Sequence, residues 1–306
     1  MKRRTLLITG ASGFTGRHAC SYFAERGVRV IAVVRRKGAM PSQLQVVERV
    51  CELNDKQQVQ RLIAQEQPDD VLHLAGNNSV PESWKHPLMY IETNVLATLY
   101  LLDAMRVYPE SRIVIVGSRL TFELDRSPQP PHPYSLSKTL EMLSVQSWMH
   151  LFKQHVLLAE PSNLVGPGPS TGICSLLGRH IVQVERGLAE YSFQLSSPYE
   201  TRDFLDVRDA VRAYEVLLTS GTPGEVYPIC SGIERTLGSI AERMFQMSDI
   251  SIPPEVIEQI TSSDIQHKHI THSPRPQLHQ LGWNTTFSIH QSLQDVIQYY
   301  REEERE

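Results

Sequence analysis

The amino-acid sequence predicts an α/β protein with a doubly wound parallel sheet and a smaller C-terminal lobe. Short apolar runs rich in β-branched residues alternate with helical patterns over the first 160 residues, and a glycine-rich turn follows the first run. Beyond that point, closely spaced prolines and glycines interrupt the alternation. We therefore expect a sheet domain over residues 1–163, rejoined by a later segment near 203–230, and a lobe over 164–306.

Composition and charge exclude several classes of protein. The 306 residues carry a net charge of −4, which gives no basic field for nucleic acid, and the four cysteines form no CxxC pair for zinc. His267, His269 and His272 cluster, but their spacing is irregular and we expect no metal site. No apolar run reaches the roughly 18 residues of a membrane span or the length of a signal peptide. We expect a cytoplasmic protein with neither nucleic-acid nor membrane partners.

The first predicted strand, 5–9, runs directly into Gly10, Gly13 and Gly16. Gly10 permits a tight turn, Gly13 lets backbone N–H groups approach a pyrophosphate, and Gly16 lets the next helix pack closely on the strand. The N-terminus of that helix also favours an anion. An ordinary strand-to-helix turn would also use glycine, but the strand before and the helix after favour a dinucleotide site. The cofactor contacts expected here are Gly10, Ser12, Gly13, Phe14, Thr15 and Gly16.

The second predicted strand, 28–34, ends in Arg35 and Arg36. An acidic residue at the end of this strand would bind a ribose 2′-hydroxyl and favour NAD, but Val34 occupies the position. Arginine pairs well with a 2′-phosphate through charge-assisted hydrogen bonds. A solvated basic turn is the alternative. The pattern favours NADP(H) as the cofactor, with both arginines in contact with it.

The next strands bring polar residues to one edge of the sheet. Strands are predicted over 48–55, 70–74 and 112–117, with helices over 57–65 and 87–108 between them. In an open α/β sheet, ligands bind outside the carboxyl ends of the strands. We therefore expect further cofactor contacts from Glu52, Leu53, Leu74, Ala75, Gly76 and Asn94.

A tyrosine and a lysine four residues apart, Tyr134 and Lys138, open the helical pattern after Pro133. On a helix they share one face. The pKa of a free tyrosine is near 10, and a neighbouring cation would favour its phenolate and so its use as an acid or base. Ser118, at the end of the fifth strand, would bind the same substrate oxygen. Alone, such a pair is usually a surface tyrosine beside a lysine. Beside the glycine turn, we expect Ser118, Tyr134 and Lys138 to be catalytic, and the last two to contact the cofactor as well.

Taken together, these motifs resemble the extended short-chain dehydrogenase/reductase family of nucleotide-sugar enzymes. The resemblance runs nearly end to end and rests on Gly10-x-x-Gly13-x-x-Gly16, 70–75, Ser118, Tyr134-x-x-x-Lys138, 161–163, 166–168, 202–207 and 281–283. It implies a Rossmann domain, a C-terminal sugar-nucleotide lobe, and a homodimer formed through helices 87–108 and 132–154. It also implies an NADP-dependent oxidoreductase whose substrate contacts are Asn77, Ser79, Ser118, Asn163, Arg179 and Arg202.

Within that family, segments 201–209 and 224–232 are most similar to GDP-6-deoxy-D-mannose reductases. The similarity implies NADPH-dependent reduction of a nucleotide-linked 4-keto-6-deoxyhexose, with GDP-4-dehydro-6-deoxy-D-mannose as the expected substrate and Tyr134 as the proton donor. Ser118 is followed by Arg119-Leu120-Thr121, without the acid that the related 4,6-dehydratases use for elimination.

Three alternatives stay open. A nucleotide-sugar 4-epimerase or a 4,6-dehydratase would use the same serine, tyrosine and lysine, although such epimerases usually prefer NAD. A non-catalytic NADP-binding regulatory protein is suggested by Glu160, which replaces an arginine of the family, and by the absence of arginine from segment 262–268. The intact serine, tyrosine and lysine argue against this last alternative.

Overall fold

The computed structural model describes residues 4–122, 124, 129–190, 195, 197–250 and 276–303. The chain divides into two compact units, residues 1–160 with 211–228 and residues 161–210 with 229–306. The strands of the described residues are β1 (Thr5–Thr9), β2 (Arg29–Val34), β3 (Val47–Val50), β4 (Asp70–His73), β5 (Arg112–Val116), β6 (Val156–Pro161), β7 (Asn163–Val165), β8 (Thr201–Asp206), β9 (Val226–Ile229) and β10 (Glu234–Thr236).

The helices connect these strands and include one short π-helical segment. In the described residues they are α1 (Phe14–Glu25), α2 (Lys56–Glu66), α3 (Val80–Lys85), α4 (Pro87–Ile91), the π-helical segment (Glu92–Leu96), α5 (Ala97–Met105), α6 (Pro133–Phe152), α7 (Ile173–Glu185), α8 (Val207–Ser220), α9 (Leu237–Gln246), α10 (Pro276–Gln280) and α11 (Ile289–Glu303). None of the described helices is long and apolar enough to cross a membrane.

The sheet of the first unit has the strand order β3-β2-β1-β4-β5-β6-β9, and the pairing among β1 to β6 is parallel. The order reverses between β1 and β4, which is the switch point of a doubly wound fold. Both strands are buried along their whole length, as expected where helices cover the two faces of a sheet. These features confirm the predicted fold class.

The core of the first unit lies where neighbouring strands align their apolar residues. Leu7 is in register with Ile31 on one side and with Val71 on the other, and none of the three is exposed. The same cluster contains buried residues of α2, α5 and α6, so these helices pack against the sheet. The carboxyl ends of β1, β4 and β5 are thereby fixed as one rigid edge.

The second unit contains a three-stranded sheet of order β10-β8-β7. Its core includes Val165, Phe204 and Met244 together with apolar residues of α7 and α11. Because β8 pairs with β7 and β10, residues 203–206 belong to this sheet. The segment that rejoins the first unit is therefore 211–228, shorter than the 203–230 predicted.

Candidate active site

The glycine turn between β1 and α1 has no room for a side chain at Gly10 or Gly16. Gly10 has a φ of +64°, and a Cβ there would lie 2.8 Å from the backbone nitrogen of Ala75. A Cβ at Gly16 would overlap the carbonyl oxygen of Gly10. Gly13 is the N-cap of α1 and gives the helix no side-chain cap, so no N-cap side chain competes with an anion for the first N–H groups. The turn therefore fits the predicted pyrophosphate cradle, which Ser12, Phe14 and Thr15 line as half-buried residues.

The turn after β2 is held open by a carboxylate on β3. The backbone N–H groups of Gly38 and Met40 each donate to Glu48 at 2.7 Å. These hydrogen bonds lower the pKa of the Glu48 carboxyl. Arg35 and Arg36, the predicted contacts for the cofactor phosphate, are exposed directly after the end of β2.

Glu52 and Leu53, two predicted cofactor contacts, follow the end of β3. Glu52 is exposed, and Leu53 packs against the core of the first unit. Asp55, two residues further, caps α2 by accepting from the N–H groups of Gln57 and Gln58. Contact of Glu52 and Leu53 with the cofactor stays a prediction.

The loop after β4 is fixed from both sides. Leu74 and Ala75 donate their backbone N–H groups to the Thr9 hydroxyl, each at 3.2 Å. Asn94 is fully buried and accepts from the backbone N–H of Asn77 at 2.8 Å. Its amide donates to the Asn77 carbonyl and to the hydroxyl of Ser137 on α6. Asn94 therefore supports the predicted cofactor loop from beneath.

Asn94 reaches this loop from the π-helical segment, which sequence periodicity did not reveal. The predicted helix over 87–108 is divided into α4, the π-helical segment and α5, and Ala97 donates to the carbonyl of Glu92 five residues earlier. A single π-helical turn of this kind frequently marks a functional site. Further along the loop, the Ser79 hydroxyl caps α3 by accepting from the N–H of Glu82.

Tyr134 and Lys138 lie on the buried face of α6, as their spacing predicts. The side chains are only 5% and 6% exposed. His132 caps the helix and stacks on the Tyr134 ring, with a centroid distance of 5.9 Å. Lys138 Nζ lies 3.4 Å from the carbonyl oxygen of Val116, the last residue of β5. The half-buried Ser118 follows two residues later, so the three predicted catalytic residues belong to one region of the first unit.

The structure adds a residue that the sequence analysis missed. Glu141 is 1% exposed, and its Oε2 lies 2.6 Å from Lys138 Nζ. Burial disfavours the charged lysine, but Glu141 and Tyr134 outweigh it, and the pKa of Lys138 is raised. Glu141 is three residues after Lys138 and seven after Tyr134, a spacing that places all three on one helical face. That spacing was the available signal.

The predicted substrate contacts outside the first unit each have a partner within the second unit. The Asn163 amide donates to the Asp203 carbonyl at 3.0 Å. Arg202 forms an ion pair with Glu200 at 2.6 Å. The guanidinium of Arg179 lies over the ring of Tyr300, 5.2 Å from its centroid.

Glu160 and the histidines were singled out in the sequence as groups that bear on substrate or metal binding. Glu160, where the resemblance implies an arginine, is half-buried; burial raises its pKa, while Arg119 acts in the opposite direction. In the part of the chain that the structure describes, no group of three or more His, Cys, Asp or Glu is placed to hold a metal ion. The histidine cluster and the segment 262–268 lie outside the described residues.

Known proteins are similar to this chain over nearly its whole length. GDP-6-deoxy-D-mannose reductase of Pseudomonas aeruginosa is 29% identical over 315 aligned residues, which cover 98% of each chain. The dTDP-D-glucose 4,6-dehydratase of Mus musculus is 25% identical, with 97% of this chain and 89% of the relative covered. Among solved structures, RMD from Pseudomonas aeruginosa complexed with NADPH has a TM-score of 0.79 at 26% identity, covering 98% of this chain and 99% of the other.

A model of a protein family also matches most of the chain. The model described as the NAD dependent epimerase/dehydratase family matches residues 6–230, which include the glycine turn, Ser118, Tyr134 and Lys138. The match agrees with the strand order of the first unit and with the resemblance drawn from the motifs. The chain belongs to the NAD dependent epimerase/dehydratase family and is an NAD(P)-dependent enzyme of the extended short-chain dehydrogenase/reductase type.

Proposed function

We propose that this enzyme is an NADPH-dependent reductase of a nucleotide-linked 4-keto-6-deoxyhexose, with GDP-4-dehydro-6-deoxy-D-mannose as the preferred substrate and GDP-6-deoxy-D-mannose as the product. The observation that carries the proposal is the buried pair Tyr134 and Lys138, with Lys138 beside the end of β5, together with Arg119-Leu120-Thr121 in place of an acid directly after Ser118. Reduction of a ketone needs one proton donor, whereas elimination of water needs a further acid or base. The similarity to GDP-6-deoxy-D-mannose reductase supports the GDP-sugar.

The residues of the first unit fit a dinucleotide. A Cβ would fill the turn at Gly10 and Gly16, so the backbone can approach a pyrophosphate only because both are glycine. Arg35 and Arg36 suit a 2′-phosphate and support NADPH over NADH. The similar RMD structure is complexed with NADPH, which supports the same choice. When bound, the nicotinamide supplies the hydride.

Residues of the chain would donate the proton to the substrate oxygen and stabilise the negative charge that develops on it. Tyr134 would donate its hydroxyl proton to the C4 oxygen of the sugar as that oxygen becomes negative. Ser118 would donate a hydrogen bond to the same oxygen. The ammonium of Lys138 would stabilise the phenolate that Tyr134 leaves behind. Because Tyr134 and Lys138 are both nearly buried, the attraction between cation and phenolate is weakly screened by water.

Epimerisation and dehydration are the other reactions open to this family. A 4,6-dehydratase and UDP-glucose 4-epimerases are among the similar proteins. Neither reaction consumes NADPH in net terms, because each returns the hydride to the sugar. Stoichiometric oxidation of added NADPH therefore distinguishes reduction from both.

The test is to mix the enzyme with NADPH and 4-keto-6-deoxy sugars linked to GDP, dTDP and UDP, and to follow NADPH absorbance and product structure. We expect oxidation with the GDP-sugar at the highest kcat/KM. Tyr134→Phe should lower turnover by about 10²–10⁴-fold, the usual worth of a positioned proton donor, with unchanged NADPH affinity. Tyr108→Phe is the matched control, since Tyr108 is a partly buried tyrosine that packs against the core of the first unit and is none of the predicted site residues. Equal turnover in wild type and Tyr134→Phe would refute the assignment.

A further inference from the structure

A line of buried polar side chains runs from the end of β1 to Lys138. Thr9 Oγ1 lies 2.8 Å from His73 Nδ1, and His73 Nε2 lies 3.0 Å from Thr98 Oγ1. Thr98 Oγ1 is 3.2 Å from Glu141 Oε1, and Glu141 Oε2 is 2.6 Å from Lys138 Nζ. All five side chains are buried. Each of their polar atoms must therefore find its partner within the protein.

The backbone fixes the direction of the first donors in this line. The Thr9 hydroxyl oxygen accepts from the N–H groups of Leu74 and Ala75. Its own hydrogen is then directed to His73 Nδ1, which acts as the acceptor. The ring hydrogen of His73 consequently sits on Nε2 and is donated to Thr98. His73 is thus held as a neutral ring of one tautomer, in accord with burial that lowers its pKa to about 3.

The line ends at a carboxyl group that receives donors from two sides. Thr98 accepts from His73 and shares its own hydrogen between the Asn94 carbonyl at 2.8 Å and Glu141 at 3.2 Å. Lys138 donates to the other oxygen of Glu141 at 2.6 Å, a length typical of a charge-assisted hydrogen bond. These contacts fit a carboxylate at Glu141 facing an ammonium at Lys138.

The surroundings leave Lys138 dependent on that carboxylate. Within the described residues, the titratable groups that face Lys138 are Glu141, Tyr134 and His73. His73 is neutral and Tyr134 is the proposed proton donor, so Glu141 supplies the negative charge. A fully buried lysine without a counter-charge loses its proton readily, because burial can lower a lysine pKa by up to about 3–5 units.

We propose that Glu141 is a positioning residue that keeps Lys138 protonated into the alkaline range and directs its ammonium to the end of β5. Of the three N–H groups of Lys138, one is donated to Glu141 and one to the Val116 carbonyl. Nζ also lies close to Gly76 in the predicted cofactor loop, where a Cβ would stand 3.5 Å from it. This proposal rests on the proposed function, in which the ammonium of Lys138 stabilises the phenolate of Tyr134.

The direct test is a pH titration of the Lys138 ¹³Cε resonance in the cofactor-free protein, assigned by its loss in Lys138→Met. In the wild type we expect no deprotonation of Lys138 up to about pH 10. Glu141→Gln should move the titration down by more than about one pH unit, and Glu141→Asp should restore most of the shift. The matched control is Glu82→Gln, because Glu82 and Lys85 form an exposed pair at the same i,i+3 spacing. Water screens that pair, so Lys85 should shift little.

A second readout is the pH dependence of NADPH affinity. Glu141→Gln should bind NADPH almost as well as the wild type near pH 6 and lose affinity relative to it as the pH rises through the lowered pKa of Lys138, by about tenfold at one pH unit above that pKa. The loss should vanish in a Lys138→Met background. A loss that is the same at every pH, or that persists in that background, would overturn the proposal.

The two proposals fail separately. If the enzyme reduces no 4-keto sugar but Lys138 titrates as expected, the proposed function is wrong and the role of Glu141 in holding the charge stands. If Lys138 of the wild type titrates below about pH 9, the role of Glu141 is refuted whatever the substrate. If Glu141→Gln does not fold, the titration of Lys138 in the wild type and in Glu141→Asp still tests the role of Glu141.

Discussion

Replacing His73 should change how stability depends on pH. Burial, aided by the charge of Lys138, lowers the pKa of His73 from 6.5 to about 3. Between these values the unfolded chain binds a proton at His73 and the folded chain does not, so the free energy of unfolding falls as the pH falls. At pH 5 the unfolded-state pKa lies about 1.5 units above the pH (6.5 − 5). At about 1.4 kcal/mol per unit, the contribution is about 2 kcal/mol.

The assay is denaturant unfolding at pH 7 and pH 5 in a Trp283→Phe background, so that the tryptophan fluorescence comes from Trp84 and Trp148 in the first unit. The test variant is His73→Gln, whose amide offers a donor and an acceptor but does not titrate. The wild type should lose about 2 kcal/mol more than this variant between the two pH values. Only the change with pH is compared, so a lower absolute stability of the variant does not matter. The control, His150→Gln, replaces an exposed histidine and should follow the wild type.

Equal pH dependence in the wild type and His73→Gln would refute the reasoning. It would mean that folding does not oppose protonation of His73. The direction of hydrogen bonding from Thr9 through His73 to Thr98 would then be wrong as well, because a charged ring donates from both nitrogens.

The remaining predictions concern the cofactor turn and the quaternary structure. Arg35→Asp should narrow or invert the preference for NADPH over NADH, since one charge-assisted contact is worth about 1.5–3 kcal/mol, or roughly 10- to 150-fold; an unchanged ratio in fluorescence titrations would contradict this. Gly16→Ala should abolish NADPH binding and lower the melting temperature more than Gly13→Ala, because its methyl group overlaps the Gly10 carbonyl while that at Gly13 lies 3.2 Å away. The wild type should sediment at micromolar concentration as a two-fold dimer and Leu143→Asp, on the exposed face of α6, as a monomer; a monomeric wild type would refute the interface.

The first unit was predictable because its signals are local. The glycine turn and the Tyr134–Lys138 spacing each lie within a few residues, and parallel strands of buried apolar residues bring their carboxyl ends to one edge. The polar line from Thr9 to Glu141 was not predictable in this way. It joins residues from two strands and two helices, and only the packing of α5 and α6 on the sheet brings them together.

The π-helical segment and the unit to which residues 203–206 belong were not predicted from the sequence, for different reasons. The π-helical segment has the same apolar periodicity as a continuous helix, because one additional residue in a turn barely changes the pattern. The segment near 203–230 was predicted to rejoin the first unit, and only the pairing of 203–206 with β7 and β10 assigns those residues to the second. Sequence patterns identify elements better than they identify partners.

The interleaved path of the chain also bears on its synthesis at the ribosome. Residues 211–228 complete the first unit, where Arg112 donates to the carbonyls of Leu217 and Gly221 and β9 borders β6. After β6 has emerged from the ribosome and before β9 follows, β6 is therefore an uncovered edge strand, which can pair with other chains. The nucleotide-binding half cannot finish folding until much of the second unit has emerged, so early termination should yield aggregates rather than a free domain.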